Sequence, residues 1–436
     1  MTRDATLRDR LAIWRSRKAE SAPHLHPLPP LPLTGDPDRA EAMIAADFLP
    51  DGADFAWLND LAALGDERAG RFAARKIAEW VAQDRPDWTA GTTGWRLLHW
   101  LAHARFLYPR GVPAETVAVI ARQTAFLHRR WQGASGWDRI AALAGLSAGA
   151  HALERPALRP SVLALPPLPS GPDDLLRALV LLLSLRATWD DSALTSVMTQ
   201  AVGALRTMRH ADGRLTGLRG GAGGDPVRLD AALGAAGLRT PPAAQAMGLA
   251  RLAHGRSTVI ADLSRPALAF ELTCGRVPLV VATPAGRAEP EVDSRPPRPV
   301  PVTDATLTPS ALSARHDGWL NRRLIHTRQL TLSPDGRSLT GSDLFDTRRR
   351  VRQPLRIDLH FPLHPGISAK AEQGHIALIL PNGDAWIFTG TGAILAPHAH
   401  GIAISAAIDR FPARLDWTFS KSDATPLTIR DLPPGA

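Results

Sequence analysis

The 436-residue sequence predicts an α+β protein of several domains, a helical first part followed by an antiparallel β part. Three observations carry this. Between Phe55 and Asp84 the residues Trp57, Leu58, Leu61, Leu64, Phe72, Ile77, Trp80 and Val81 recur at roughly helical spacing with charges between them. From about Arg251 the composition turns to β-branched residues in short alternating runs, STVIADL, ALAFEL and VPLVVAT. Between Ala314 and Phe388, alternating segments are joined by Asp335-Gly336 and Asn382-Gly383, pairs that allow the positive φ of tight hairpin turns. The length fits about two or three domains on the usual prior of ~150 residues each.

Taken in order, Ser21 to Pro37 carries six prolines around His24 and His26, cannot hold a helix, and is expected to run extended, with regular structure beginning after it. One amphipathic helix is expected over Phe55 to Asp84. Thr92 and Thr93 can cap a second that runs to Tyr108, and Pro113 opens a third that runs to Trp131. Further helices are expected at Trp137 to Leu153, Pro172 to Trp189, Ser192 to His210 and Asp225 to Ala236. Helices of similar length joined by short loops fit stacked hairpins, in either an incomplete α/α toroid or a solenoid. The boundary falls near Gly237 to Gly255. Beyond it the Pro-rich stretch from Pro284 to Pro301 reads as a long surface loop.

Composition narrows the function. With 44% hydrophobic and 21% charged residues the chain is an ordinary globular one. Its most apolar run, Leu175 to Leu185, is interrupted by Arg177 and too short to cross a bilayer, so it reads as a buried helix. The first residues carry no apolar signal region, which points to the cytoplasm. Cys274 is the only cysteine, which excludes an internal disulfide framework and a multi-cysteine zinc site. Of 51 Lys and Arg only four are Lys, leaving 47 Arg at a net charge of +9. This skew reads as coding bias, since a nucleic-acid binder would cluster the charge with exposed aromatics on one face. The densest basic run, Thr347 to Arg356, reads as a solvated turn. There is no phosphate-binding glycine loop and no nucleophile elbow.

The tracts HDGW, HTRQLTLSPDGRSLTGSDLF, RIDLHFPLHPGI and ALILPNGDAWIF resemble the C-terminal β-sandwich of the heparinase II/III family of polysaccharide lyases and lyase-like proteins. WLNDLAALGDERAGRFAARKIAEWVAQ, WRLLHWLAHARFL and ARQTAFLHRRW resemble successive helices of that family's toroid. The resemblance selects the incomplete α/α toroid over the solenoid. It implies an extended segment over residues 1–50, a toroid over 51–240 and a sandwich over 251–436, with an acidic, uronate-containing polysaccharide as partner and a periplasmic or envelope location as the alternative to the cytoplasm.

Lyases of such polymers remove the proton beside a uronate carboxylate and expel the 4-linked sugar, which needs charge neutralisation, a base and an acid. In the family these roles fall to Asn, Glu, His and Tyr residues of the cleft. Here the first cleft motif aligns with GWDRIAALAGL, placing Trp137 and Asp138 where Asn and His stand. The second is replaced by RPALRPSVLALPPLPSGPDD, and a strand His by Asp304. The catalytic candidates that remain are His151, Tyr108, His316 and His326. Each also has a structural reading: Tyr108 a ring packed at a helix end, the histidines hydrogen-bonded packing residues. Arg315, Arg322, Arg323 and Arg328 are candidate substrate contacts beside a groove shared by the two halves, against the alternative of solvated strand-edge residues. His360 and His364, an i,i+4 pair expected on one strand face, are candidate zinc ligands without a clear third, and no cofactor is required. The sequence thus supports a lyase acting on an acidic glycan by β-elimination-type chemistry, or a binding or scaffold protein that has the fold without the catalysis. Residue chemistry favours the second.

Overall fold

A computed structural model describes residues 6–50, 52–83, 88–158, 165–189, 192–221, 223–283, 286–347, 351–391, 394–398 and 401–422. The described helices are α1 (Leu7–Ser16), α2 (Pro37–Ala46), α3 (Trp57–Leu64), α4 (Glu67–Ala82), α5 (Ala90–Ala102), α6 (Ala104–Leu107), α7 (Ala114–Arg130), α8 (Gly136–Ala152), α9 (Pro172–Thr188), α10 (Ser192–Thr207) and α11 (Pro226–Ala236). The described strands all follow them: β1 (Gln245–Ala246), β2 (Leu249–His254), β3 (Ser257–Asp262), β4 (Phe270–Cys274), β5 (Val277–Val280), β6 (Pro290–Val292), β7 (Thr303–Leu307), β8 (Ala311–Trp319) and β9 (Leu324–Leu332). They continue with β10 (Ser338–Thr347), β11 (Leu355–Pro362), β12 (Ser368–Glu372), β13 (His375–Ile379), β14 (Ala385–Gly390), β15 (Ile394–His398), β16 (Gly401–Ile408) and β17 (Ala413–Lys421).

Two compact units result. Residues 1–169, 174–202 and 227–239 form a helical unit; residues 170–173, 203–226 and 240–436 form a sheet unit. The chain therefore crosses between units more than once, and the change of apolar period near Gly237 marks only the last crossing.

Local chemistry corrects several expected boundaries. Regular structure begins before the Pro-rich stretch: Thr6 and Asp9 form a reciprocal capping box that starts α1. The single helix expected over Phe55 to Asp84 is two, because Gly65 takes a left-handed φ of 71° and ends α3. Asp66 then caps α4 by accepting from the Ala69 amide at 2.6 Å. The second helix starts at Ala90 with Thr89 as its N-cap, and ends at His103 instead of running unbroken to Tyr108. Residues Ser21 to Asp36 are without helix or strand, as their prolines require.

In the helical unit α5 and α8 cross with their backbones in contact. A β-carbon on Gly94 would lie 2.1 Å from the Ala141 carbonyl oxygen, and one on Gly145 would lie 2.4 Å from the Gly94 carbonyl oxygen. Only hydrogen fits at both, so the small-residue run of α8 is a packing face, buried from Ile140 to Ala150.

In the sheet unit every described pairing is antiparallel. One sheet has the order β1-β2-β3-β4-β5, a second β12-β13-β14-β17-β10-β9-β8-β7 and a third β15-β16-β11-β6. The three meet in one aromatic core: Phe270 from the first stacks on Trp417 from the second at 5.4 Å, and Phe361 from the third packs edge-on to Trp417 at 4.8 Å. Both expected hairpins form. Gly336 donates to the Ser333 carbonyl at 2.8 Å and Gly383 to the Leu380 carbonyl at 2.9 Å, closing turns whose second residue is proline. The positive φ belongs to Gly336 and Gly383 alone, 70° and 83°, and not to Asp335 or Asn382.

The α5–α8 contact gives a test. Gly94→Ala drives a methyl into a backbone carbonyl that cannot rotate away, and should cost about 3 kcal/mol, the upper part of the range for overpacking. Gly234→Ala in α11, where a β-carbon meets nothing within 4 Å, should instead stabilise by roughly 0.5–1 kcal/mol. Urea midpoints of the two variants, moving in opposite directions from the parent, check the pair.

Candidate functional site

The N-terminal ends of α5 and α8, held together by the glycine contact, open onto a cavity of about 1000 Å³ within the helical unit. Its wall includes Asp54, Thr92 and Trp95 with Arg130, Asp138 and Arg177. A neighbouring hollow of about 380 Å³ shares Trp95, Asp138 and Arg177 and adds Trp137 and Asp174. The Arg177 guanidinium, on the exposed side of α9, lies over the Trp95 ring at 5.4 Å. Arg130 is tied to Asp9 at 2.7 Å, which joins α7 to α1 at the rim. Trp137 donates its indole N–H to the Pro167 carbonyl at 3.0 Å. A cation on an indole face, beside a second indole and a carboxylate, can grip a sugar ring and a charged substituent together.

Behind this wall lie two histidines that sequence reasoning passed over. His99 stacks on Trp95, ring centroids 5.5 Å apart, and donates Nδ1–H to the Asp54 carbonyl at 2.7 Å. One turn on, His103 Nε2 lies 2.9 Å from Asn59 Oδ1. Burial lowers the pKa of both, that of His103 to about 4. Arg96, on the same helix, is fully buried, hydrogen-bonded to Gln123, Ala53 and Thr93 and set over the Trp80 ring at 4.5 Å. These groups fix α5, and so Trp95, in place.

In the sheet unit His316 and His326 are brought together, but inside the core. They are cross-strand partners on β8 and β9 and are 2% and 0% exposed. The Gly318 amide donates to His316 Nδ1 at 3.1 Å, so the His316 proton sits on Nε2 and is donated to His326 Nδ1 at 2.9 Å. That places the His326 proton on Nε2, donated to Asp343 Oδ1 at 2.7 Å. Asp343 also accepts from Arg328 Nε at 2.7 Å and, on Oδ2, from the Trp417 indole at 2.8 Å. Burial alone would raise the Asp343 pKa, but Arg328 and His326 outweigh it and hold the acid well below the usual carboxylate range. Burial, then the neighbouring His326 and Arg328, pulls His316 down to about 2. Burial lowers His326 too, with Asp343 opposing it in part. As catalytic candidates the two are corrected: they are hydrogen-bonded packing residues in a buried relay of fixed tautomers. Arg328 is likewise corrected as a substrate contact, since it is 2% exposed and also donates to the Leu268 and Ala288 carbonyls.

The remaining candidates are dispersed. His151 lies thirteen residues along α8 from Asp138, about 20 Å at 1.5 Å per residue, with Nε2 3.3 Å from the Pro27 carbonyl. Tyr108, the C-cap of α6, is half-buried, and burial raises its pKa, opposite to what an acid catalyst needs. Arg315 pairs with Asp304 at 3.1 Å and Arg322 with Asp293 at 2.6 Å, while Arg323 is exposed in a left-handed turn. His360 and His364 do not share a strand: β11 ends at Pro362. His360 Nε2 lies 3.8 Å from Glu291, whereas His364 Nδ1 accepts from the Gly366 amide at 3.2 Å. Among the described residues they belong to no set of three metal-ligating groups within reach of one another. Residues 159–164 of the replaced second motif, 284–285 of the long loop and 348–350 of the basic run lie outside the described residues.

Residues 285–416 match the family model described as heparinase II/III-like, C-terminal. The fold is that of polysaccharide lyases. It is similar to a mutant of a heparan sulfate lyase, HepC, from Pedobacter heparinus, at a TM-score of 0.58 and 11% identity over 85% of this chain and 76% of that one. It is also similar to heparinase III, at a TM-score of 0.56 and 9% identity over 96% of this chain and 86% of that one. Comparison with curated proteins finds no match. The family match is thus to the C-terminal part of the chain, within the sheet unit. No described helix is long and apolar enough to cross a membrane.

Two outcomes follow from the buried groups. Asp343→Asn leaves the Arg328 cation uncompensated in the core and should destabilise by about 3–5 kcal/mol, read by urea denaturation. The histidines give a pH dependence of defined sign. A histidine whose folded pKa lies below the unfolded ~6.5 is neutral in the fold and takes a proton on unfolding, so its contribution is complete above pH ~6.5 and lost as pH falls toward the folded value. For His103 that window is pH 6.5 to about 4. Thermal midpoints should fall across it, and His103→Gln should flatten the slope by about one proton.

Proposed function

We propose that the chain is a lyase-fold protein that holds an acidic polysaccharide in the cavity of its helical unit, with eliminative cleavage absent or very weak. In this reading the helical unit is an incomplete α/α toroid and the sheet unit a β-sandwich. The observation that carries the proposal is the Arg177 guanidinium over Trp95 at 5.4 Å, on a cavity wall that also presents Trp137. Guanidinium pairs bidentately with carboxylate or sulfate, and an indole face takes the apolar face of a pyranose; neither needs proton transfer. The carboxylate of Asp138 stands on the same wall where the resembled motif has a histidine. The substrate named for the similar Pedobacter heparinus enzyme, heparan sulfate, carries the charges such a wall would pair, and it heads the glycans to try.

Calorimetry of the full chain with heparin, alginate and polygalacturonate at low salt tests this. Binding should weaken as salt is raised, because exposed pairs are screened over a Debye length of about 8 Å at physiological ionic strength. Arg177→Ala with Trp95→Ala should weaken it about 10-fold or more, the loss of one charge-assisted contact. The double variant Arg322→Ala with Arg323→Ala is the comparison: a loss confined to it would move the glycan contact to the sheet unit. Absence of heat with every glycan would remove the reading. Unsaturated uronate absorbance produced by the parent and lost in Asp138→Asn would replace it with an active lyase.

A further inference from the structure

Pro23, His24, Leu25, His26 and Pro27 form a strap on the helical unit that belongs to no helix or strand and bends at Pro23 and His24. Leu25 packs with Ala22 against a small apolar cluster of Val117, Ala121 and Leu153, while His24 is exposed and His26 half-buried. The strap is fastened at the end of α8, where the His26 amide donates to the Ala152 carbonyl at 2.8 Å. Two residues on, Glu154 takes a φ of 54°, a left-handed position that residues with a β-carbon hold at a cost of roughly 1–2 kcal/mol. That conformation brings its carboxylate back to the strap: Glu154 Oε1 lies 2.8 Å from His26 Nε2. The His24 and His26 rings have centroids 5.2 Å apart, and one ligand atom from each of His24, His26 and Glu154 lies within 4.8 Å of the others.

We propose that His24, His26 and Glu154 form a divalent transition-metal site, taking Zn²⁺, that clamps the strap to the C-terminal end of α8. Two imidazoles and one carboxylate are a donor set that suits Zn²⁺ and leaves a fourth position for water, whereas the hard ions Ca²⁺ and Mg²⁺ need more oxygens. Metal–ligand distances of about 2.0–2.2 Å put tetrahedral neighbours about 3.4 Å apart. The side chains need only a short contraction, and His24 and Glu154 are exposed and able to rotate. The prolines on either side restrict the strap backbone, so the two histidines are presented together with little entropy to lose. The site is independent of the glycan reading, and it uses none of the cavity residues.

The test uses the full chain stripped with chelator and titrated with ZnCl₂ by calorimetry, then with Co²⁺ to read the visible bands of a tetrahedral site. One Zn²⁺ per chain should bind in the parent and be lost in His24→Ala with His26→Ala. Glu154→Gln should weaken it at least 10-fold, and Zn²⁺ should raise the thermal midpoint of the parent but not of either variant. His375→Gln disrupts a different surface His–Glu pair, 3.0 Å from Glu372, and should leave all of this unchanged. Metal-free variants with the parent's urea midpoint establish that folding is intact, and Glu154→Gln alone carries the test if the double variant unfolds. A parent that takes up no Zn²⁺, or variants that bind with the parent's stoichiometry and affinity, would overturn the site.

Discussion

The sheet unit is organised around one buried carboxylate. Asp343 is fully enclosed, yet it collects the Arg328 guanidinium, the His326 imidazole and the Trp417 indole from strands on both sides of β10. A charge in such a place is tolerable only when paired and hydrogen-bonded, so the three donors and the acid specify one another and with them the register of β8, β9, β10 and β17. A one-residue slip of β9 would send His326 and Arg328 to the opposite face and leave Asp343 alone. A second enclosed acid does similar work nearby. Glu271 accepts from Thr216, the Gly217 amide, the Ala282 amide and His210, which binds the 203–226 segment into the sheet unit.

The helical unit depends on a different constraint, the distance between two helix axes. With hydrogen at Gly94 and Gly145, α5 and α8 approach until backbone meets backbone, and Gly91 extends the contact, a β-carbon there falling 2.9 Å from the Asp138 side chain. The approach sets where Trp95 and Asp138 stand on the cavity wall. Larger residues would part the helices and carry the two side chains away from each other. The chemistry of the wall is thus written partly in residues that have none.

Much of this was legible in the sequence, and some of what was missed had a signal. Helical against alternating period separated the α and β parts, and the Pro-Asp-Gly and Pro-Asn-Gly turns marked two hairpins. The capping box at Thr6 and Asp9 was readable by the same rules that found other helices, but the helix it starts is only ten residues long. His316 and His326 as catalytic candidates and Arg328 as a substrate contact rest on residue type, whereas the pattern of their strands puts all three inside. In β8 the buried side holds Leu312 and Ala314, and in β9 it holds Leu324, Leu330 and Leu332; His316, His326 and Arg328 fall on those same sides. Trp95, Arg177 and Asp54 carried no such signal. They come from α5, α9 and a loop, each an ordinary residue in its own segment, and only tertiary structure makes them a wall.

The distribution of enclosed and open polar groups explains why binding and catalysis can separate on this fold. The titratable groups with strong, specific partners, Asp343, His326 and His316, are sealed in the core with their protons fixed by neighbours, and a proton held that way is unavailable to a substrate. The cavity wall instead presents Arg177 over an indole face, with the Asp138 carboxylate beside them. Affinity for a polyanion needs only such fixed groups, whereas elimination needs a base and an acid poised near the working pH. In the proposed reading, Asp138 standing where the resembled motif has a histidine would remove one of those poised groups while the helix contact, the cavity and its cation remain.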